Sequence, residues 1–206
     1  AREAFQDGWS GIAPSERAKY LFRIARILQE RSREFAVLES LNGGKPIRES
    51  RDVDLPLSAA HFFYYAGWAD KLEYAFPHRR PQPLGVAGQL IPWNFPLLML
   101  AWKIAPALAY GNSVVFKPAE IVTACAWSLA EIISRASLPA GVVSCVTGGV
   151  EAAQALIADD RVRVVAFTGS VEAGQRVATA CAERGYEYMA VTDHSKGLPI
   201  AGGLSD

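Results

Sequence analysis

Cysteine and histidine are scarce in this sequence. There are three of each among 206 residues. Cys125, Cys145 and Cys181 are too widely spaced for a disulfide framework or a metal-binding pair. A reducing, cytoplasmic setting is therefore the expectation. Excess charge of either sign is also missing: Lys+Arg and Asp+Glu both number 21. That balance offers no basic footprint for nucleic acid and no polybasic patch for a membrane surface. Long apolar runs are lacking too. The longest, Phe95 to Tyr110, is interrupted by Lys103 and by Pro96 and Pro106, so it is too short and too broken to span a bilayer. No apolar signal core follows the charged Arg2, Glu3 and Asp7. Gly-x-Gly-x-x-Gly, the ordinary dinucleotide fingerprint, is absent.

What is present divides into two patterns. Ser15 is placed to cap a helix in which Leu21, Ile24, Ala25 and Leu28 recur at helical spacing. The pattern continues through Phe35, Leu38 and Leu41, predicting one helix over Glu16–Leu41 that stops at Asn42-Gly43-Gly44. A second helix is expected over Asp54–Leu72, with Pro56 in its first turn and Phe62, Phe63, Tyr65 and Trp68 as a packing stripe. Phe76 to Leu84 reads as a connector. Beyond it, β-branched runs alternate with helical ones. Strands are expected at Gly85–Ile91, Ser113–Lys117, Val142–Thr147 and Val162–Phe167. Helices are expected at Leu97–Tyr110, Thr123–Ser137, Glu151–Asp159 and Val171–Glu183. This predicts an α/β fold: N-terminal helices, then a doubly wound parallel sheet with helices on both faces.

Three motifs stand at the ends of the predicted strands. Ile91-Pro92-Trp93-Asn94-Phe95-Pro96 holds an amide between two stiffening prolines. Lys117-Pro118-Ala119-Glu120 places two charges after the second strand. Phe167-Thr168-Gly169-Ser170 ends the fourth strand, with Ser170 placed to cap the next helix and leave amides free for a phosphate. Gly148-Gly149 offers a further close backbone approach. Each motif alone also fits an ordinary turn, cap or solvated loop.

In this order and spacing the motifs resemble the cofactor-binding half of the aldehyde dehydrogenase superfamily, over about residues 1–182. The resemblance implies a NAD site formed by Ile91, Pro92, Trp93, Lys117, Glu120, Gly148, Phe167, Gly169 and Ser170. Glu120 would accept hydrogen bonds from ribose hydroxyls and repel a 2′-phosphate, which favours NAD over NADP. Asn94 would donate to the oxyanion of an aldehyde adduct. The implied reaction oxidises an aldehyde to a carboxylic acid, and a homo-oligomer is a compatible assembly. The family's nucleophilic cysteine lies in a later domain. Cys125 and Cys145, on a predicted helix and strand, read as small buried hydrophobes, and Cys181 lacks the nucleophile's context. After Val171–Glu183 the family expects a strand ending in a glutamate, two glycines and a lysine. With Lys196 aligned to that lysine, Thr192 stands where the glutamate base belongs.

Residues 183–206, through Thr192-Asp193-His194-Ser195-Lys196, resemble instead a stretch of the PHP metal-dependent phosphoesterase domain of bacterial family X DNA polymerases. One such motif lacks the further ligands a metal cluster needs, so no metal site is expected. A junction is expected near Ala182–Arg184, with Tyr188–Val191 as a strand added to the sheet edge. The sequence thus reads as a dehydrogenase fragment without turnover of its own. A degenerate nucleotide-binding or interaction module is the alternative, and a metal-dependent phosphoesterase fragment the third reading.

Overall fold

A computed structural model describes residues 1–192; the expectations for Asp193, His194 and Lys196 lie outside these. The N-terminal region contributes α1 (Arg2–Gln6), α2 (Pro14–Glu30), α3 (Ser32–Gly43), α4 (Ile47–Glu49), α5 (Leu55–Trp68) and α6 (Leu72–Ala75). The remainder alternates: β1 (Val86–Ile91), α7 (Pro96–Ala109), β2 (Ser113–Pro118), α8 (Thr123–Arg135), β3 (Val143–Cys145), α9 (Val150–Ala158), β4 (Val162–Phe167) and α10 (Val171–Glu183).

The strands form one parallel four-stranded sheet in the order β3-β2-β1-β4. Helices α7 and α8 pack on one face, and α9 and α10 on the other. The chain therefore steps outward from β1 to β3, then returns across the sheet to β4. That reversal puts a topological switch point between β1 and β4, where open α/β sheets hold ligands beyond the carboxyl ends of their strands. A right-handed parallel crossover accounts for the change of face.

The core is layered on one side only. α7 is almost wholly apolar, with Leu97, Leu100, Ala101, Ile104, Ala105, Leu108 and Ala109 fully buried. It lies between the sheet and the pair α2 and α5. Leu21, Ile24, Ala25 and Leu28 of α2 and Phe62 of α5 reach the same core. Arg17 ties this layer to the end of α7: its Nε donates to the Ala109 carbonyl at 3.1 Å and its Nη1 to the Ile12 carbonyl at 2.5 Å. On the opposite face α9 buries only Ile157 and α10 buries nothing.

Several sequence expectations need correction. The single helix over Glu16–Leu41 is two helices, broken at Arg31, whose φ of −99° and ψ of 16° depart from the helical pair. The apolar spacing continues across this break, so periodicity alone does not see it. Ser15 does not cap α2, which begins a residue earlier with Pro14 at its first position, where a missing N–H costs nothing. The stop at Asn42-Gly43-Gly44 holds, and Gly44 adopts φ 71°, the left-handed geometry favoured at helix ends. α5 ends at Trp68 rather than Leu72, and its start is continuous with α4 through a π turn over Ser50–Asp54. Asp54 is buried in that turn and makes no side-chain cap. β3 is shorter than Val142–Thr147. Tyr188–Val191 forms no strand; Tyr188 and Val191 are 80% and 79% exposed, because nothing apolar meets either face. The chain is nevertheless held just before it. Arg184 Nη1 donates to the Ile157 carbonyl at 2.6 Å, and the Tyr186 hydroxyl to the Val162 carbonyl at 3.1 Å.

Leu100 of α7 is fully buried in this core. Leu100→Ala is expected to lower unfolding free energy by about 3 kcal/mol, the cost of a cavity in a well-packed core. Leu84→Ala, at an exposed connector position, should change it by under about 0.5 kcal/mol. Urea denaturation of the two variants checks this contrast.

Candidate functional site at the carboxyl edge of the sheet

Parallel register brings the three strand-end motifs to one edge. Leu90 of β1 is paired with Lys117 of β2 and with Phe167 of β4, and Ile91 is paired with Pro118. Ile91-Pro92-Trp93-Asn94, Lys117 to Glu120 and Phe167 to Ser170 therefore leave the sheet side by side. Gly148 follows β3, which pairs with β2 through Phe116 and Cys145. Lys117 and Gly148 lie on the β2–β3 side of β1, and Gly169 and Ser170 on the β4 side.

The local geometry explains each position. Ser170 caps α10: its Oγ accepts from the Ala173 amide at 3.3 Å. The sheet-side amides of the first turn remain directed out of the helix end. Gly169 lies under the Phe167 ring, where an added Cβ would come within 2.5 Å of it. Gly148 has φ 149°, and a Cβ there would meet that of Ala152 at 2.8 Å. Both glycines are thus required by close packing. The Gly149 amide already donates to Glu151 Oε1 at 3.1 Å, an anion in the place a phosphate would contest.

Lys117 is buried, its Nζ donating to the Pro118 carbonyl at 3.2 Å. The Glu120 carboxylate lies 3.6 Å from that ammonium and is largely exposed. Ile91 is buried, Pro92 half-buried, and Trp93 and Asn94 are exposed. Asn94 is thus an exposed amide between two prolines, not one spent on a buried turn.

Lys103 is legible in the sequence only as a charge interrupting an apolar run. It belongs to this edge. From α7 its Nζ donates to Thr168 Oγ1 at 2.8 Å, joining the helix to the β4 motif across the switch point. The buried Gln89 of β1 donates to the Lys103 carbonyl at 2.8 Å, holding the same turn of α7 on the sheet. Burial pushes the Lys103 ammonium down to about 8. The signal that marks it in retrospect is a lone lysine on an otherwise apolar helix, which must find a polar partner.

The cysteines are chemically quiet. Burial pushes the Cys125 thiol up to about 12 and raises those of Cys145 and Cys181. None is poised as a thiolate near neutral pH. Two concavities among the described residues lie elsewhere. One, of about 450 Å³, is bounded by Ala1, Trp9 and Gly141. It sits near the amino end of β3, and no catalytic grouping lines it. The other is a shallow surface patch around Arg31 and Glu34.

A profile of the aldehyde dehydrogenase family matches residues 1–191. The chain belongs to the aldehyde dehydrogenase family. It is 44% identical over 190 residues to the phenylacetaldehyde dehydrogenase of Pseudomonas fluorescens, covering 85% of this chain and 38% of that protein. Among solved structures, HpcC from Thermus thermophilus superposes with a TM-score of 0.83 at 39% identity, over 89% of this chain and 37% of that one. PnpE in complex with nicotinamide adenine dinucleotide superposes with a TM-score of 0.81 at 40% identity, over 88% and 39% of the two chains. The chain thus spans well under half the length of the relatives it matches. The four-stranded parallel sheet and its flanking helices are the family's cofactor-binding fold. No described helix is long and apolar enough to cross a membrane.

The depressed Lys103 value makes stability depend on pH. The unfolded chain binds a proton that the folded chain releases between about 8 and about 10.5, so this group favours folding more as pH rises through that window. Lys103→Met is therefore expected to stabilise the fold at neutral pH, with the gain shrinking toward pH 10.5. Denaturation of wild type and variant at pH 7 and about pH 10 checks this sign. A Lys103 ¹³Cε titration should show its midpoint near 8.

Proposed function

We propose that residues 1–182 form the NAD-binding part of an aldehyde dehydrogenase, and that this chain binds NAD without oxidising aldehydes by itself. The observation that carries the reading is convergence: Asn94, Lys117, Glu120, Gly148 and Ser170 lie along one sheet edge around the switch point.

The residues fit the dinucleotide. The start of α10, capped by Ser170, would direct free first-turn amides at a phosphate. Gly169 and Gly148 keep the backbone compact beside it, packed under Phe167 and against Ala152. Lys117 and Glu120 provide an ammonium and a carboxylate suited to two vicinal hydroxyls. A 2′-phosphate would be repelled by Glu120, which favours NAD over NADP. When bound, the nicotinamide supplies a hydride acceptor. Ile91, Pro92 and Trp93 would lie along the cofactor, and Asn94 would donate its amide to the developing oxyanion of an adduct.

The covalent step lacks its reagents here. No cysteine among the three is activated, and Thr192 is not a base near neutral pH. Aldehyde turnover would require a partner region bearing nucleophile and base.

Calorimetric titration tests the binding half. NAD should give saturable heat with the wild-type chain, and NADP a weaker one. Glu120→Ala should weaken NAD about tenfold, as expected for loss of a charged hydrogen-bond acceptor, and narrow the NAD to NADP ratio. Equal NAD heats in wild type and Glu120→Ala, or none in either, would sink the cofactor reading. Incubation with short and aromatic aldehydes should release no NADH above background. NADH production abolished by substituting one cysteine would overturn the inactivity.

A further inference from the structure

We propose that Lys45 and Glu39 are positioning residues for the Trp93–Asn94–Phe95 turn, a buried charged cluster reaching from the N-terminal helices to the start of α7. The inference rests on the oxyanion reading of Asn94 given above.

The cluster is unusual for its burial. Glu39 of α3 and Ser50 and Asp54 of the π turn are all 0% exposed. Lys45, in the connector between α3 and α4, forms an ion pair with Asp54 Oδ2. Both Glu39 oxygens, Asp54 Oδ1 and Ser50 Oγ have no hydrogen-bond partner among the described residues. Such groups cost free energy when buried, and a fold that keeps them needs a reason. The π turn that presents Ser50 and Asp54 is itself a rare conformation found disproportionately at functional sites.

Two contacts run from the cluster to the start of α7, and both arrive at residues just after Asn94. The Lys45 ammonium lies 3.9 Å from the centroid of the Phe95 ring, a cation–π contact made by a largely buried cation. The Glu39 carboxylate faces the Leu97 amide without closing a full hydrogen bond. Leu97 lies in the first turn of α7, where backbone amides have no helical partner. Phe95 is the cap residue of α7, and no side chain caps that helix end. Glu39 therefore supplies from α3 the negative charge that the α7 terminus lacks. Asn94 precedes these two anchored residues directly. With Pro92 and Pro96 limiting the backbone, fixing the Phe95 ring fixes the direction in which Asn94 leaves the sheet.

The cluster is also sensitive to protons. Burial first, and then the Asp54 charge, push the Glu39 carboxyl up to about 7; Lys45 and the Leu97 amide oppose this. The other titratable group near it is the Cys125 thiol of α8, which stays neutral because burial raises it to about 12. Charging Glu39 strengthens its pull on the Leu97 amide, so the set of the turn changes through neutral pH.

Nuclear magnetic resonance of the full ¹⁵N-labelled chain tests this without requiring turnover. The reporters are the Asn94 side-chain amide and the Trp93 indole N–H, assigned by their loss in Asn94→Asp and Trp93→Phe. Lys45→Met and Phe95→Leu should each shift both reporters, while Lys45→Arg, which keeps cation and stacking, should restore wild-type positions. Methyl signals of Leu21 and Ile24, in the core on α2, should not move. If Lys45→Met does not fold, the Phe95→Leu arm decides. In wild type both reporters should titrate with a midpoint near 7, and in Glu39→Gln they should be flat. Unmoved reporters in a folded Lys45→Met or Phe95→Leu chain, failure of Lys45→Arg to restore them, or a titration persisting in Glu39→Gln would each overturn the proposal. Absence of NAD binding in the calorimeter would instead remove the function reading and leave the reporter shifts readable.

Discussion

The burial of α7 on both sides is the constraint from which the rest of the structure follows. A helix this nearly apolar, with Trp102 its one exposed residue and Lys103 its one charge, is stable only when covered on both sides. The sheet covers one side, and α2 and α5 cover the other. Each fully buried leucine-sized side chain contributes roughly 1.5–3 kcal/mol in transfer free energy, and α7 places several of them in the densest part of the core. The N-terminal helices are thus a structural requirement of the cofactor sheet. Because α7 begins at the carboxyl end of β1, the same packing sets where the Pro92–Pro96 turn begins and how Lys103 meets Thr168. Core and site are mechanically one element.

α3 has a second part in this arrangement. Its last two turns serve the N-termini of two other helices. Glu39 faces the first turn of α7, and Asn42 Oδ1 accepts from the Ala124 amide at the start of α8 at 3.0 Å. Neither α7 nor α8 has a side-chain cap of its own. Orphan amides at helix ends must be satisfied somehow, and here residues distant in sequence are brought to them. The helix-stop signal at Asn42-Gly43-Gly44 therefore does two jobs: the glycine ends α3, and the asparagine begins α8.

What is legible in the sequence follows from which forces are local. β4 and α10 carry the expected boundaries, because β-branched runs bounded by turn residues report strand formation directly, and Ser170 reports its own cap. The strand-end motifs are legible for the same reason. The break at Arg31 is not, since apolar positions keep helical spacing across it and only the backbone turn of one residue differs. The π turn is equally invisible: it depends on Asp54 and Ser50 being pulled inward by tertiary packing, against their usual preference for solvent. Lys103 reads as an interruption because its partner, Thr168, lies far along the chain. Tyr188–Val191 errs in the other direction. Its apolar run is strand-like on both faces, but a strand needs a surface to bury against, and local pattern does not supply one.

The two faces of the sheet are not equivalent, and the difference has a physical consequence for the site. On the α7 side the strand ends are backed by three layers of packed side chains, so Asn94 and Lys103 rest on rigid support. On the α9 and α10 side, α10 is amphipathic yet has no buried residue, and Val171 is 72% exposed at its first turn. α10 is therefore held by the Ser170 cap and the Phe167 ring over Gly169 at its first turn, and by the hydrogen bonds of Arg184 and Tyr186 at its far end. Local opening free energies fall where buried apolar contacts are few. A ligand that spans both sides of the switch point would bind one wall already ordered and one that it must help to order. Part of its binding energy would go into fixing α10 against β4, so affinity at this edge is governed as much by that ordering as by the groups that touch the ligand.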